Sequence, residues 1–165
     1  MEQSAQFFFS PENRVAPLGI VAMEGAQELA DKIEAHLVRW ANQAGVNIDT
    51  FRIGCSCPRF SSGDGKGILE SSVRGYDLYF VVDVGNYSCT YKYFGQENHM
   101  SPDDHYQDLK RLIQAAMGKA HRITVVMPYP KREAEIVPPQ LPGIFGLRLR
   151  AAGAAIHGRG QRGHL

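Results

Sequence analysis

The sequence predicts an α/β domain: a mostly parallel sheet with flanking helices on its faces. Three observations carry that expectation. Short apolar runs have the length and composition of buried strands, two longer stretches repeat their apolar residues at helical spacing, and the two kinds of segment alternate along the chain. At 165 residues the chain has the length of one such unit, since single domains commonly run to about 100–150 residues.

Taken in order, Leu18-Gly19-Ile20-Val21-Ala22-Met23 is apolar without alternation, as a strand covered on both faces would be. Gly25 opens the first helix. From about residue 26 to 42, Leu29, Ile33, Leu37 and Trp40 recur at intervals of four, four and three and so form one stripe, which Gly45 ends. Residues 48–57 alternate apolar with polar and read as a second strand, with Phe51, Ile53, Cys55 and Cys57 on one face.

Next comes a glycine-rich turn, "RFSSGDGKGILESSVRG" from Arg59 to Gly75, which includes the extended pair Ile68-Leu69 and predicts a hairpin. Residues 78–84, "LYFVVDV", form a buried strand entered through the turn Arg74-Gly75-Tyr76-Asp77. Residues 86–100 show no clear period and are expected to be loop. Ser101-Pro102-Asp103-Asp104 then has the grammar of a helix start, with a hydroxyl N-cap, proline at the first helical position and acids on the positive end of the dipole. Leu109, Leu112, Ile113, Ala116 and Met117 follow at helical spacing, Gly118 stands where a left-handed cap belongs, and residues 123–127 make a last strand.

This patterning divides the chain into an N-terminal extension (1–17), a folded domain (18–130) and an irregular tail (131–165). The tail holds three prolines within "VPPQLPG" and is rich in Arg, Gly and Ala without a usable period, so loose order is expected there. Its arginines, Arg148, Arg150, Arg159 and Arg162, have no interleaved aromatic residues on which bases would stack. A formal charge of +1 adds no global pull towards nucleic acid or an anionic membrane. The first nine residues lack the basic and long apolar regions of a signal peptide, and no run approaches the roughly 20 apolar residues of a membrane span, so a cytoplasmic protein is expected.

Three motifs suggest chemistry, and each has a plainer reading. Gly63-Asp64-Gly65-Lys66-Gly67 lacks the spacing of a phosphate loop and fits a hairpin turn. His99, Asp103, Asp104 and His105 resemble a metal cluster, yet the acids are explained as solvated capping charges. Cys55, Cys57 and Cys89 do not complete a zinc set and are expected to be buried thiols acting as small hydrophobes.

Two longer segments carry more. "RFSSGDGKGILESSVRGYDLYFVVDV" and "LKRLIQAAMGKAHRITVVMPY" resemble the N-terminal domain of the ribose-phosphate diphosphokinase (phosphoribosyl diphosphate synthetase) family, and "GAQELADKIEAHL" is similar to its first helix. The resemblance runs from about Leu18 to Tyr129. It implies a phosphoribosyltransferase-like fold and a reaction that moves the diphosphoryl group of Mg-ATP onto the C1 hydroxyl of ribose 5-phosphate. Mg²⁺ is thus the implied cofactor, ATP and ribose 5-phosphate the implied partners, and a homo-oligomer the implied assembly; no membrane or nucleic-acid partner is implied.

In the family an Arg-Phe-Ser-Asp-Gly-Glu turn binds ATP, its Phe stacking on adenine and its acids assisting, often at a subunit interface. The matching positions are Phe60, Ser62 and Asp64, with Ser62 standing where the family has an acid. No catalytic residue and no metal ligand is implied in this chain. After Pro130 the resemblance stops: Ala134 stands where the family's phosphate-gripping loop has arginine. A truncation or a shifted reading frame would leave that pattern, and sequencing the gene past the Tyr129 codon tests it. The expectation is a chain without turnover by itself, or else a noncatalytic regulatory or assembly module.

Overall fold

The structure, a computed structural model, describes residues 9, 15–128 and 148–149. β1 (Leu18–Ala22), a 3-10 turn (Glu24–Ala26) and α1 (Gln27–Gln43) come first. The two-residue strands β2 (Cys55–Ser56) and β3 (Ile68–Leu69) precede β4 (Asp77–Val81). Then follow β5 (Thr90–Tyr93), β6 (Gln96–His99), α2 (Pro102–Ala116), β7 (Arg122–Val126) and β8 (Arg148–Leu149). The main sheet has the order β1-β4-β7-β8, parallel except at the last pair. It is the mixed α/β architecture that the alternation of segments predicts.

The register explains why the strands are apolar throughout. Val21 lies beside Phe80, and Leu78 beside Ile123, and side chains alternate between two buried faces. Leu78, Phe80 and Val82 point to a cluster with Leu109, Leu112 and Ala116 of α2. Ile20, Ala22 and Val81 point the other way, to Ala30 and Ala41 of α1 and the partly buried Leu29, Ile33 and Leu37. Among the described residues α1 covers one face of the sheet and α2 the other. Each fully buried large side chain contributes about 1.5–3 kcal/mol relative to exposure.

The helix ends follow from local chemistry. α1 closes with Gly45 at φ +75, while the Gly45 and Val46 amides donate to the Asn42 and Ala41 carbonyls at 3.0 and 2.9 Å. Trp40, expected on the apolar stripe, is 40% exposed, whereas Ala30 and Ala41 are the buried residues of the helix. At the start of α2, the Ser101 hydroxyl accepts from the Asp104 amide and the Asp104 carboxylate accepts from the Ser101 amide, a complete capping box. Gly118 has φ +74, as the cap position requires.

Two expectations are corrected. Residues 48–57 are not one strand: a single parallel bridge joins Arg52 to Ile20, and β2 then leaves to pair with β3. Phe51 packs on the α1 side whereas Ile53, Cys55 and Cys57 pack on the α2 side, so the segment twists between them and they do not share a face. Residues 86–100, expected to be loop, contain the hairpin of β5 and β6, with Tyr93 opposite Gln96 and the pair Phe94-Gly95 as its connection. Neither hairpin face is buried enough to impose an apolar alternation.

The other differences are small. β4 begins one residue earlier than expected, at Asp77, whose carboxylate accepts two bonds from the Arg122 guanidinium of β7 at 3.1 and 2.5 Å. Of the tail, Arg148 and Leu149 pair with Thr124 and Ile123, a short strand in a stretch expected to be irregular. The remainder of the tail lies outside the described residues, as does most of the N-terminal extension. Among the described residues no helix is long and apolar enough to cross a membrane.

Candidate functional site

Topology locates the site before any side chain does. From β1 the chain passes through α1 to the Arg52 bridge on β1's outer edge, whereas from β4 it passes through α2 to β7 on the opposite side. The winding therefore reverses between β1 and β4, and in open parallel sheets the crevice beyond the carboxyl ends at such a reversal is where ligands bind. A cleft of about 260 Å³ opens there, walled by Met23 and Glu24 after β1, Cys55 and Arg59 of the β2–β3 ribbon, Tyr91 of β5, and His105 and Asp108 of α2.

A buried ion network fixes the walls. The Arg59 guanidinium donates to both Asp108 carboxylate oxygens at 2.5 and 2.9 Å, and Arg111 donates to one of them at 2.7 Å. Burial acts to lower the Arg59 pKa, but the hydrogen bonds and charge of Asp108 outweigh it and hold the guanidinium above its ordinary value. The same guanidinium lies 4.9 Å above the Tyr91 ring centre, a cation–π contact that ties the ribbon to the β5–β6 hairpin.

At the ribbon's far end the chain folds back over residues 60–64. The Phe60 amide donates to the Asp64 carbonyl at 2.8 Å, the Gly63 amide to the Phe60 carbonyl at 2.9 Å, and Gly63 takes φ +89. Phe60, Ser62 and Asp64, singled out from sequence, thus share one turn. The Phe60 ring is 54% exposed, and the Ser62 hydroxyl donates to the Asp64 carboxylate at 3.0 Å. An aromatic face beside an oriented carboxylate suits a ligand with a planar ring and hydroxyl groups. The glycine-rich stretch is a hairpin turn, as expected, with Arg59 bridged to Gly65.

The residues of the possible metal cluster go separate ways. Asp104 closes the capping box; burial would raise its pKa, but the bonds from Ser101 hold it below the ordinary carboxylate value. His99 Nδ1 meets the Tyr87 carbonyl at 2.9 Å. His105, whose direction the sequence does not fix, is 2% exposed, with Nε2 at 2.9 Å from the Asn86 carbonyl. It belongs to the inward face of α2 beside Asp108 and Leu109. Among the described residues no group of three or more His, Cys, Asp and Glu is placed to hold a metal ion.

The surroundings of all three thiols disfavour the thiolate. Cys89 is buried, while Cys55 and Cys57 are only half-buried and edge the cleft. Burial pushes Cys55 up to about 11 and, with the nearby Asp108 charge, Cys57 up to about 12. Sequence reasoning missed Arg59, Asp108 and Tyr91. An arginine directly before the singled-out Phe60 and a lone aspartate on the apolar side of a helix are the signals that could have marked the first two.

Comparison with known proteins completes the picture. No curated protein matches the chain. A crystal structure of L. donovani hypoxanthine-guanine phosphoribosyl transferase matches with 16% sequence identity and a TM-score of 0.38, covering 83% of this chain and 71% of that one. The family model described as the N-terminal domain of ribose phosphate pyrophosphokinase matches residues 18–132, which takes in both helices, the ribbon and the strands β1 to β7. The chain belongs to that family, the N-terminal domain of ribose phosphate pyrophosphokinase.

Proposed function

We infer that this domain supplies the nucleotide side of a ribose-phosphate pyrophosphokinase reaction, in which the diphosphoryl group of ATP passes to the C1 hydroxyl of ribose 5-phosphate. The observation that carries the reading is the turn of residues 60–64, where an exposed ring and an oriented carboxylate sit together on a ribbon anchored by Arg59 and Asp108. In this role Phe60 stacks on the adenine face, a contact worth about 1–3 kcal/mol for an aromatic side chain and a base. Asp64 accepts from ribose hydroxyls, and the Ser62 hydroxyl holds its carboxylate in position.

Diphosphoryl transfer depends on alignment and on charge stabilisation at the transferred group. The positions that the sequence resemblance would give to gripping the phosphates follow Pro130 and lie outside the described residues. Ala134, which stands where the family's phosphate-gripping loop has arginine, supports the reading that the 165-residue chain binds nucleotide without turning it over. Calorimetric titration of the purified chain with ATP and Mg²⁺ tests the first half, with Phe60→Ala expected to weaken binding at least about fivefold. A coupled assay for AMP release in the presence of ribose 5-phosphate tests the second. Absence of nucleotide binding would refute the nucleotide-side role, and turnover would refute the inactivity.

A further inference from the structure

Phe94 is the first of the two residues that connect β5 to β6, and its φ is +47. For a bulky side chain that is a strained backbone region, and two-residue connections of this kind favour Asn, Asp or Gly there. Burial gives nothing back, because Phe94 is 75% exposed. A strained residue that the fold does not need points to use elsewhere.

The neighbours show where. Tyr93 holds the Phe94 ring edge-on, with centroids 4.5 Å apart and planes at 67°. Tyr93 in turn lies against the 60–64 turn: a Cβ built on Gly63 would stand 3.1 Å from its ring. Since Arg59 also covers Tyr91, the ribbon and the hairpin touch near both base and tip. Phe60 and Phe94 are thus solvent-exposed rings on two segments that meet where Gly63 faces the Tyr93 ring.

We propose that Phe94, set in place by Tyr93, makes a second aromatic contact with the base of a nucleoside triphosphate bound at the Phe60 turn. This rests on the nucleotide-side reading above. A planar heteroaromatic ring is the ligand class that gains most from such surfaces, since stacking needs only a π-face and removes exposed ring area from water.

Calorimetric titration of the full chain with two probes in the presence of Mg²⁺, ATP and ribose 5-triphosphate, which lacks the base, tests the proposal. Phe94→Ala and Phe94→Asn are expected to weaken ATP binding about five- to a hundredfold and to leave ribose 5-triphosphate unaffected. Phe94→Asn, which suits the turn, is expected to do so without lowering the melting temperature. If both Phe94 variants bind ATP as the original does while Phe60→Ala binds it weakly, the second contact is refuted and the nucleotide reading stands. If the original chain binds no ATP, both fall. Loss of self-association in Phe94→Asn with ATP binding intact would assign the ring to a second copy instead and overturn the proposal.

Discussion

Arg59 and Asp108 face each other across the ribbon and α2 through two parallel hydrogen bonds of 2.5 and 2.9 Å, both side chains only 6% exposed. The pair joins residues 49 positions apart and stands directly before Phe60, so the placement of the exposed ring depends on a buried charge contact at the ribbon's base. The geometry has the bidentate form that arginine gives to a carboxylate.

Removing one side of that pair leaves the other charge buried alone. Asp108→Ala is expected to destabilise the domain by about 3–5 kcal/mol in urea denaturation, because two guanidinium groups then share the site with no hydrogen-bonded carboxylate, Asp104 acting on Arg59 through its charge alone. Arg111→Ala removes the more solvated partner, 29% exposed, and is expected to cost only about 1 kcal/mol or less. Equal losses for the two variants would contradict the view that Asp108 anchors the ribbon.

Gly67 reads out the closeness of ribbon and helix. A Cβ there would stand 2.4 and 2.5 Å from the Arg111 carbonyl carbon and oxygen and 2.7 Å from the Leu112 nitrogen, all backbone atoms of α2 that cannot swing aside. Gly67→Ala is expected to cost about 1–3 kcal/mol and to speed limited proteolysis between residues 55 and 69. A neutral result would show that the ribbon does not lie on α2.

The capping box makes a pH prediction. Asp104 has a folded pKa lowered from its ordinary 3.8, so its carboxylate contributes stability that is present above 3.8 and is lost as pH falls towards and through the lower folded value. Acid titration of unfolding free energy is therefore expected to fall less steeply below pH 4 for Asp104→Asn than for the original chain. Ser101→Ala removes the partner hydroxyl and is expected to cost about 1 kcal/mol at neutral pH.

Much of the architecture was readable because its causes are local. The apolar runs of β1, β4 and β7 and the cap at Ser101 need no knowledge of distant partners, and the glycine-rich stretch forms the hairpin turn that its composition predicts, with Phe60, Ser62 and Asp64 in it. What escaped depends on tertiary approach. Asp108 is unremarkable until Arg59 arrives from 49 residues away, and the buried His105 finds its partner in the Asn86 carbonyl, 19 residues earlier in the chain. The twist between Phe51 and Ile53 follows from one bridge to Ile20, which no alternation in the segment announces. The hairpin of β5 and β6 was missed for another reason: its connection carries Phe where the usual signal is Asn.

That substitution can be reversed. Gly95, at φ +76, already suits its place, so Phe94→Asn would create an Asn-Gly connection, the sequence most favoured for a tight two-residue hairpin. Relief of the left-handed strain at residue 94 is worth about 1–2 kcal/mol for a bulky residue. Against it stands the edge-on Tyr93 contact, worth about 0.5–1.5 kcal/mol in well-packed pairs and less for a ring that is 75% exposed. The balance favours a gain of roughly 0.5–1 kcal/mol, measurable as a higher urea midpoint at unchanged slope. A lower midpoint would mean that Phe94 serves the fold; a higher one, together with weaker ATP binding, would mark a residue kept for contact at a cost in stability.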